Sequence, residues 1–176
     1  MTQRIVVTGS ESTGKTTLTV ELAASFKALL IPEMARVYAE ERLAEGFTLT
    51  ADDVAPIARR AIAAEDALLT GAPPRVFLDT DLLSTVVYAR HYYGACPAWI
   101  EIAARERMGV IYLLCAPDLP WIADGVRDQA DYRQEVHALF QRVLREFGAR
   151  VADVAGLGEA RTATAIAAVA TLVGTG

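Results

Sequence analysis

The sequence predicts a three-layer α/β domain, with a parallel five-stranded sheet covered by helices on both faces. Three observations carry that expectation. Short apolar, often β-branched runs alternate with longer segments of helical periodicity, the pattern of a sheet buried on both sides. Polar and acidic residues collect just after the short runs (Gly9 onward, Glu33, Asp79, Asp118), where open parallel sheets bind ligands. No linker, repeat or low-complexity tract divides the 176 residues, so one domain spanning 1–176 is expected.

The elements follow in order. Ile5–Thr8 is β-branched and reads as a buried strand, and Gly9–Gly14 is a loop bounded by glycines. Lys15–Phe26 places Leu18, Leu22 and Phe26 on one helical face. Ala28–Ile31 is a second strand closed by Pro32. Ala35–Glu45 is a helix that stops at Gly46. A longer helix over Thr50–Thr70 carries Val54, Ile57, Ala61, Leu68 and Leu69 at helical spacing. Thr50 and Asp53 have capping-box spacing at its start, and Gly71 with Pro73-Pro74 ends it. Arg75–Leu78 is the third strand, followed by helices over Leu82–Tyr93 and Pro97–Arg107. Val110–Leu114 is the fourth strand. The polar, turn-rich Pro117–Asp131 precedes an amphipathic helix over Tyr132–Phe147. Arg150–Val154 is the fifth strand, and Glu159–Val173 is a closing helix ended by Gly174.

Composition excludes several classes. Hydrophobic residues make up 53% and charged residues 22%, the balance of a folded globular chain. The longest apolar stretch, Ala163–Val173, falls short of the roughly 20 residues a membrane helix needs. The first residues run into a strand without a signal-peptide layout, and Cys96 and Cys115 have neither metal-ligand nor redox-pair spacing. A reducing cytoplasm is therefore the expected location. A net charge of −5 argues against a general nucleic-acid partner.

Gly9-Ser10-Glu11-Ser12-Thr13-Gly14-Lys15-Thr16, continuing to Thr17, satisfies G-x-x-x-x-G-K-[ST] in full. The glycines allow a ring of inward backbone N–H groups, and the helix that starts there adds its positive end. Lys15 is one of only two lysines among 17 basic residues and stands where a charge reaches β and γ phosphates. The Thr16 hydroxyl is suited to Mg²⁺. A chance match would not also place a strand before the motif and a helix after it. The fold expected is therefore that of P-loop NTPases, with ATP and Mg²⁺ as cofactors.

Asp79-Thr80-Asp81 ends the third strand, where a carboxylate can hold Mg²⁺ through water or accept the proton of an attacking hydroxyl. The plainer reading is a helix N-cap, and Asp81 can be that cap while Asp79 does chemistry. Glu33 can bind sugar hydroxyls and Arg36 a phosphate or carboxylate, unless they are a helix-start acid and a solvated arginine. Small P-loop kinases carry arginines on a lid after the fourth strand. That position here is about 117–133, with Trp121, Arg127 and Arg133, unless the stretch is a plain surface loop. Tyr88, Tyr92, Tyr93 and Trp99 can stack on a flat base, although aromatics at helical spacing are more often core. Arg161 can stack on adenine.

Taken together, these segments resemble the ribosylnicotinamide kinase domain of NadR-type proteins, from about Arg4 to Val173. The resemblance rests on the phosphate loop with its Glu11, Glu33-x-x-Arg36, Asp79-Thr80-Asp81, Tyr92-x-Gly94 and Trp121-x-x-Asp124-Gly125-x-Arg127. It implies transfer from ATP to the 5′-hydroxyl of nicotinamide riboside, giving nicotinamide mononucleotide for NAD synthesis. Asp79 would engage that hydroxyl and Arg127 would belong to the lid. The family often has an aromatic just before the Glu as a platform for the pyridine ring, where this chain has Pro32. The adenylyltransferase and DNA-binding domains found beside the kinase in some relatives are not expected here. A kinase for another nucleoside or nucleotide remains an alternative, as does a switch that hydrolyses ATP without an acceptor.

Overall fold

The computed structural model describes residues 2–119 and 132–173. The elements run β1 (Gln3–Thr8), α1 (Lys15–Ser25), β2 (Leu29–Ile31) and α2 (Met34–Ala44), then a 3₁₀ turn (Ala51–Asp53) leading into α3 (Val54–Leu69). They continue through β3 (Arg75–Asp79), α4 (Leu82–Tyr93), α5 (Ala98–Glu106), β4 (Ile111–Cys115), α6 (Arg133–Glu146), β5 (Val151–Val154) and α7 (Gly158–Val173). The five strands form one sheet in the order β2-β3-β1-β4-β5, and every pairing is parallel. The predicted three-layer P-loop NTPase fold is the one observed.

Strand residues alternate between two cores, because successive side chains point to opposite faces of a sheet. Ile5, Val7, Phe77, Ile111 and Leu113 pack with Leu18 and Leu22 of α1 and Val169 of α7. Val6, Val76, Leu78, Tyr112 and Leu114 face the other way, against Val86 of α4, Ile100 of α5 and Phe140 of α6. Each buried Val, Leu or Ile contributes about 1.5–3 kcal/mol. This double burial is why the strands read as near-continuous apolar runs.

Boundaries differ from the sequence reading by one or two residues at several ends. The one that matters is β3, which continues through Asp79, so that Val7 pairs with Asp79 in register. The carboxylate therefore leaves the last residue of a core strand beside β1. Thr50 and Asp53 form the expected capping box, but on a 3₁₀ turn that precedes the α-helix. No described helix is long and apolar enough to cross a membrane. Cys96 and Cys115 are both free thiols, the second buried.

Candidate active site

The chain leaves β1 at Thr8 and turns at once through Gly9, whose φ is 138°. A Cβ at Gly9 would lie 2.8 Å from the Cys115 carbonyl oxygen, so the loop can pass β4 this closely only with glycine. Gly14, at φ 74°, caps α1 without a side chain, and a Cβ there would meet Leu119 at 2.9 Å. Between them the loop closes on itself. Thr13 Oγ1 and Lys15 Nζ both donate to the Ser10 carbonyl at 2.8 Å. Ser10, Glu11, Thr13 and Lys15 are all buried, which gives the ring a fixed shape before any phosphate arrives.

Asp79 meets this loop from β3. Thr16 Oγ1 donates to Asp79 Oδ2 at 2.6 Å, while Oδ1 is buried with no hydrogen-bond partner among the described residues. Burial pushes the Asp79 pKa above the ordinary carboxylate range, the Thr16 hydrogen bond pulls against this, Glu33 adds to it, and Lys15 and Arg36 oppose it. A Mg²⁺ ion fits this pair: both atoms are hard oxygens, and Oδ1 is unsatisfied within the protein. No group of three or more His, Cys, Asp or Glu side chains forms an alternative metal cage among the described residues. Thr80, next along, has φ 66°, an uncommon backbone for a β-branched residue, and its N–H is held by the Val7 carbonyl at 3.0 Å. That turn marks the floor of a large cavity.

The cavity, about 480 Å³, opens beyond the carboxyl ends of β2 and β3. Its size suits a small organic ligand. Glu33, the buried N-cap residue of α2, lies in one wall, and Thr80 and Ser84 lie in another. Ser84 Oγ is 3.0 Å from Thr8 Oγ1, so this wall is tied to the strand that feeds the phosphate loop. Tyr88, Tyr92 and Tyr93 of α4 supply an aromatic side. Tyr88 stacks on Tyr92 at 6.0 Å between centroids and meets Phe140 edge-on at 5.7 Å, so it belongs to core and cavity alike. Tyr88 also links the two halves of the site, since its hydroxyl donates to Glu11 Oε2 at 3.5 Å. Glu11 Oε1 is buried without a hydrogen-bond partner among the described residues.

Several expected roles take a different form. Asp81 caps α4, accepting from the Leu83 N–H at 3.0 Å, and takes a 2.6 Å hydrogen bond from the Tyr112 hydroxyl. It is held by both contacts as the cap of α4 and stands outside the wall of the large cavity. Burial raises its pKa to about 6 against those hydrogen bonds. Arg161, expected over adenine, is instead buried among the carbonyls of Thr13, Gly156 and Ala116 and the carboxylate of Asp118. Arg133 reaches the loop's outer side, at Ser12 O and Leu119 O. Arg36 pairs with Glu33 at 3.7 Å and with Glu40, at the edge of the site. Trp99 lies under Arg59, away from the cavity wall. Trp121, Asp124, Gly125 and Arg127 fall outside the described residues.

The segment from Phe47 to Thr50 was missed. It lines the cavity from between α2 and α3. Asp53 pins it by accepting from Thr50 N–H at 2.8 Å and from the Tyr38 hydroxyl at 2.7 Å. Arg42 sits 3.4 Å from the same carboxylate and 4.4 Å over the Phe47 ring. Only an apolar Phe47 just after a helix-ending glycine hinted at this wall.

A family described as an AAA domain matches residues 4–161. The chain belongs to that family. The match spans the phosphate loop, Asp79 and Arg161, so the whole loop architecture described above lies inside the AAA domain. Curated relatives include the trifunctional NAD biosynthesis/regulator protein NadR of Escherichia coli K12. It is 28% identical over 145 residues, covering 81% of this chain and 35% of the relative. The NadR protein of Salmonella typhimurium LT2 is 28% identical over 124 residues, covering 70% and 30%. A crystal structure of NadR in complex with NR superposes with a TM-score of 0.84 at 31% identity, covering 99% of this chain and 52% of that one. NadR with NAD and AMP-PNP gives 0.80 at 29% identity, covering 99% and 50%. Thymidylate kinase of Ehrlichia chaffeensis gives 0.72 at 13% identity and shows the shared fold. The chain thus spans about a third of the curated relatives it matches and about half of the solved NadR chains. It is homologous to NadR, in line with the resemblance read from its motifs, and the matches support a P-loop nucleoside kinase.

Proposed function

We propose that the domain transfers the γ-phosphoryl group of ATP to the 5′-hydroxyl of nicotinamide riboside. The observation that carries this reading is the juxtaposition of a complete phosphate loop, a buried carboxylate and a cavity. Asp79 is bound to the loop through Thr16 and directly precedes Thr80, which lines a ligand-sized space shared with tyrosines and Glu33. A nucleotide-hydrolysing switch has no use for such a space. Two NadR structures, one with NR and one with NAD and AMP-PNP, have the same fold as nearly the whole chain, which supports both halves of the proposal.

The loop N–H groups and Lys15 hold the β and γ phosphates, and the α1 N-terminus adds to the attraction. Thr16 and Asp79 would hold Mg²⁺, which supplies charge neutralisation on the phosphate oxygens. Asp79 accepts the proton of the acceptor hydroxyl as the oxygen attacks in line and the bond to ADP breaks. Glu33 accepts hydrogen bonds from ribose hydroxyls and offers negative charge to a pyridinium. The tyrosine side of the cavity gives that ring an apolar, π-rich surface in place of an aromatic at position 32. Arg127 is proposed as a contributor of lid charge.

ADP release with ATP and Mg²⁺, measured with and without nicotinamide riboside, tests the proposal. Acceptor-dependent turnover is expected. An acceptor-independent rate unchanged by any riboside would support the switch instead.

A further inference from the structure

Two arginines grip successive peptide groups of the phosphate loop from outside. Arg161 Nη2 donates to Thr13 O at 2.8 Å and Arg133 Nη2 to Ser12 O at 3.4 Å. Neither arginine is free to swing. The Arg161 side chain is 6% exposed, with Nη1 held by Asp118 Oδ1 at 2.8 Å and by Gly156 O at 3.0 Å. Arg133 also donates to Leu119 O at 2.9 Å. In a planar trans peptide the C=O and the next N–H point in opposite directions. Holding Ser12 O outward therefore aims the Thr13 N–H inward, and holding Thr13 O outward aims the Gly14 N–H inward. These planes need holding. Ser12 at φ 52° and Gly14 at φ 74° are both left-handed, and Gly14 has no Cβ to resist rotation of the plane before it.

We infer that Arg161, assisted by Arg133, is a positioning residue that aims the Thr13 and Gly14 N–H groups at the β phosphate. The inference rests on the phosphate-loop reading and gives both arginines a role through the backbone, without direct contact to adenine or to the transferring group. Orientation of this kind depends on the fork geometry of guanidinium, which ties a loop carbonyl to Asp118 and Gly156 at once. A lysine retains the charge and loses the fork.

The test uses inorganic tripolyphosphate with Mg²⁺ as a probe that touches only the phosphate loop. Its affinity is measured by calorimetry for the wild-type chain, Arg161→Lys, Arg161→Gln and Arg133→Gln. The Thr13 and Gly14 amide shifts on binding are followed by NMR, signals that a merely structural role would not move. Arg161→Lys should bind tripolyphosphate about tenfold or more weakly, near Arg161→Gln, with a diminished Gly14 shift. Arg133→Gln, with its longer contact, should lose about threefold. In turnover, KM for ATP should rise while KM for the acceptor stays constant. Wild-type affinity in a folded Arg161→Lys would overturn the inference, because charge alone would then suffice. If the Arg161 variants do not fold, unchanged affinity and an unchanged Thr13 shift in Arg133→Gln overturn it. A wild-type chain that ignores tripolyphosphate would overturn the phosphate-loop reading itself.

Discussion

The phosphate loop and the cavity proposed for the acceptor adjoin at one end of the same sheet and are built in opposite ways. The loop is one continuous stretch, Gly9–Thr16, closed by its own hydrogen bonds and backed by Cys115, Leu119, Arg133 and Arg161. The cavity is assembled from α2, the 47–50 segment, the turn at Thr80 and one side of α4. Its parts are pinned to one another largely through side chains, such as Tyr38 to Asp53 and Thr8 to Ser84. A site that binds the same triphosphate in any setting can be a local device of backbone. A site that must fit one acceptor is shaped by tertiary packing, where single side chains change its form. Damage to the loop should therefore stop turnover, whereas damage to the cavity should alter which acceptor is used.

The largest effect is expected on the loop side. Lys15→Ala should lower turnover by about 10²–10³ through loss of a charge contact to the transferring group. Circular dichroism should show the fold intact. A variant with wild-type turnover would break the comparison at its base.

At the boundary between the regions, Asp79→Asn keeps the shape and the Thr16 contact and removes the basic carboxylate. Turnover should fall by about 10²–10⁴, with ATP binding partly retained. Normal turnover would move the base to another acid, and Glu33 is the carboxylate already in the cavity wall.

On the cavity side, Tyr92→Ala removes a half-exposed ring that stacks on Tyr88. The acceptor should bind about 1–3 kcal/mol more weakly, read as a rise in its KM, with KM for ATP unchanged. A matching rise in KM for ATP would show that the two regions are not separable.

The smallest effect concerns stability outside both regions. Asp81 has a folded pKa raised to about 6 by burial, so the folded state holds its proton more tightly than the unfolded chain does. Its contribution is fully present below the unfolded value of about 4 and is lost as pH rises through 6. Asp81→Asn should flatten that part of the stability profile in chemical denaturation from pH 4 to 7. An identical slope in both proteins would show that the carboxyl does not titrate across this window.

The sequence shows the loop plainly, because its glycines, lysine and threonine stand at fixed spacing and each answers a local need. Asp79 is legible from the strand before it, although its place as the last residue of β3 depended on pairing with Val7. The Thr50–Asp53 box is also legible, as local hydrogen bonding within four residues. The use made of it is not, because holding Phe47–Thr50 in the cavity wall depends on Tyr38 and Arg42 from another helix. Arg161 is the sharpest case. It lies 148 residues from the carbonyl it holds, and no periodicity or motif encodes such a contact.

The central claim is an acceptor pocket for a cationic riboside. It is tested most directly by steady-state kcat/KM for nicotinamide riboside, uridine, cytidine, adenosine and thymidine with ATP and Mg²⁺. The account predicts the highest value for nicotinamide riboside, since Glu33 and the tyrosine wall favour a pyridinium over a neutral base. A neutral nucleoside that ranks first, with nicotinamide riboside inert at millimolar concentration, would contradict it.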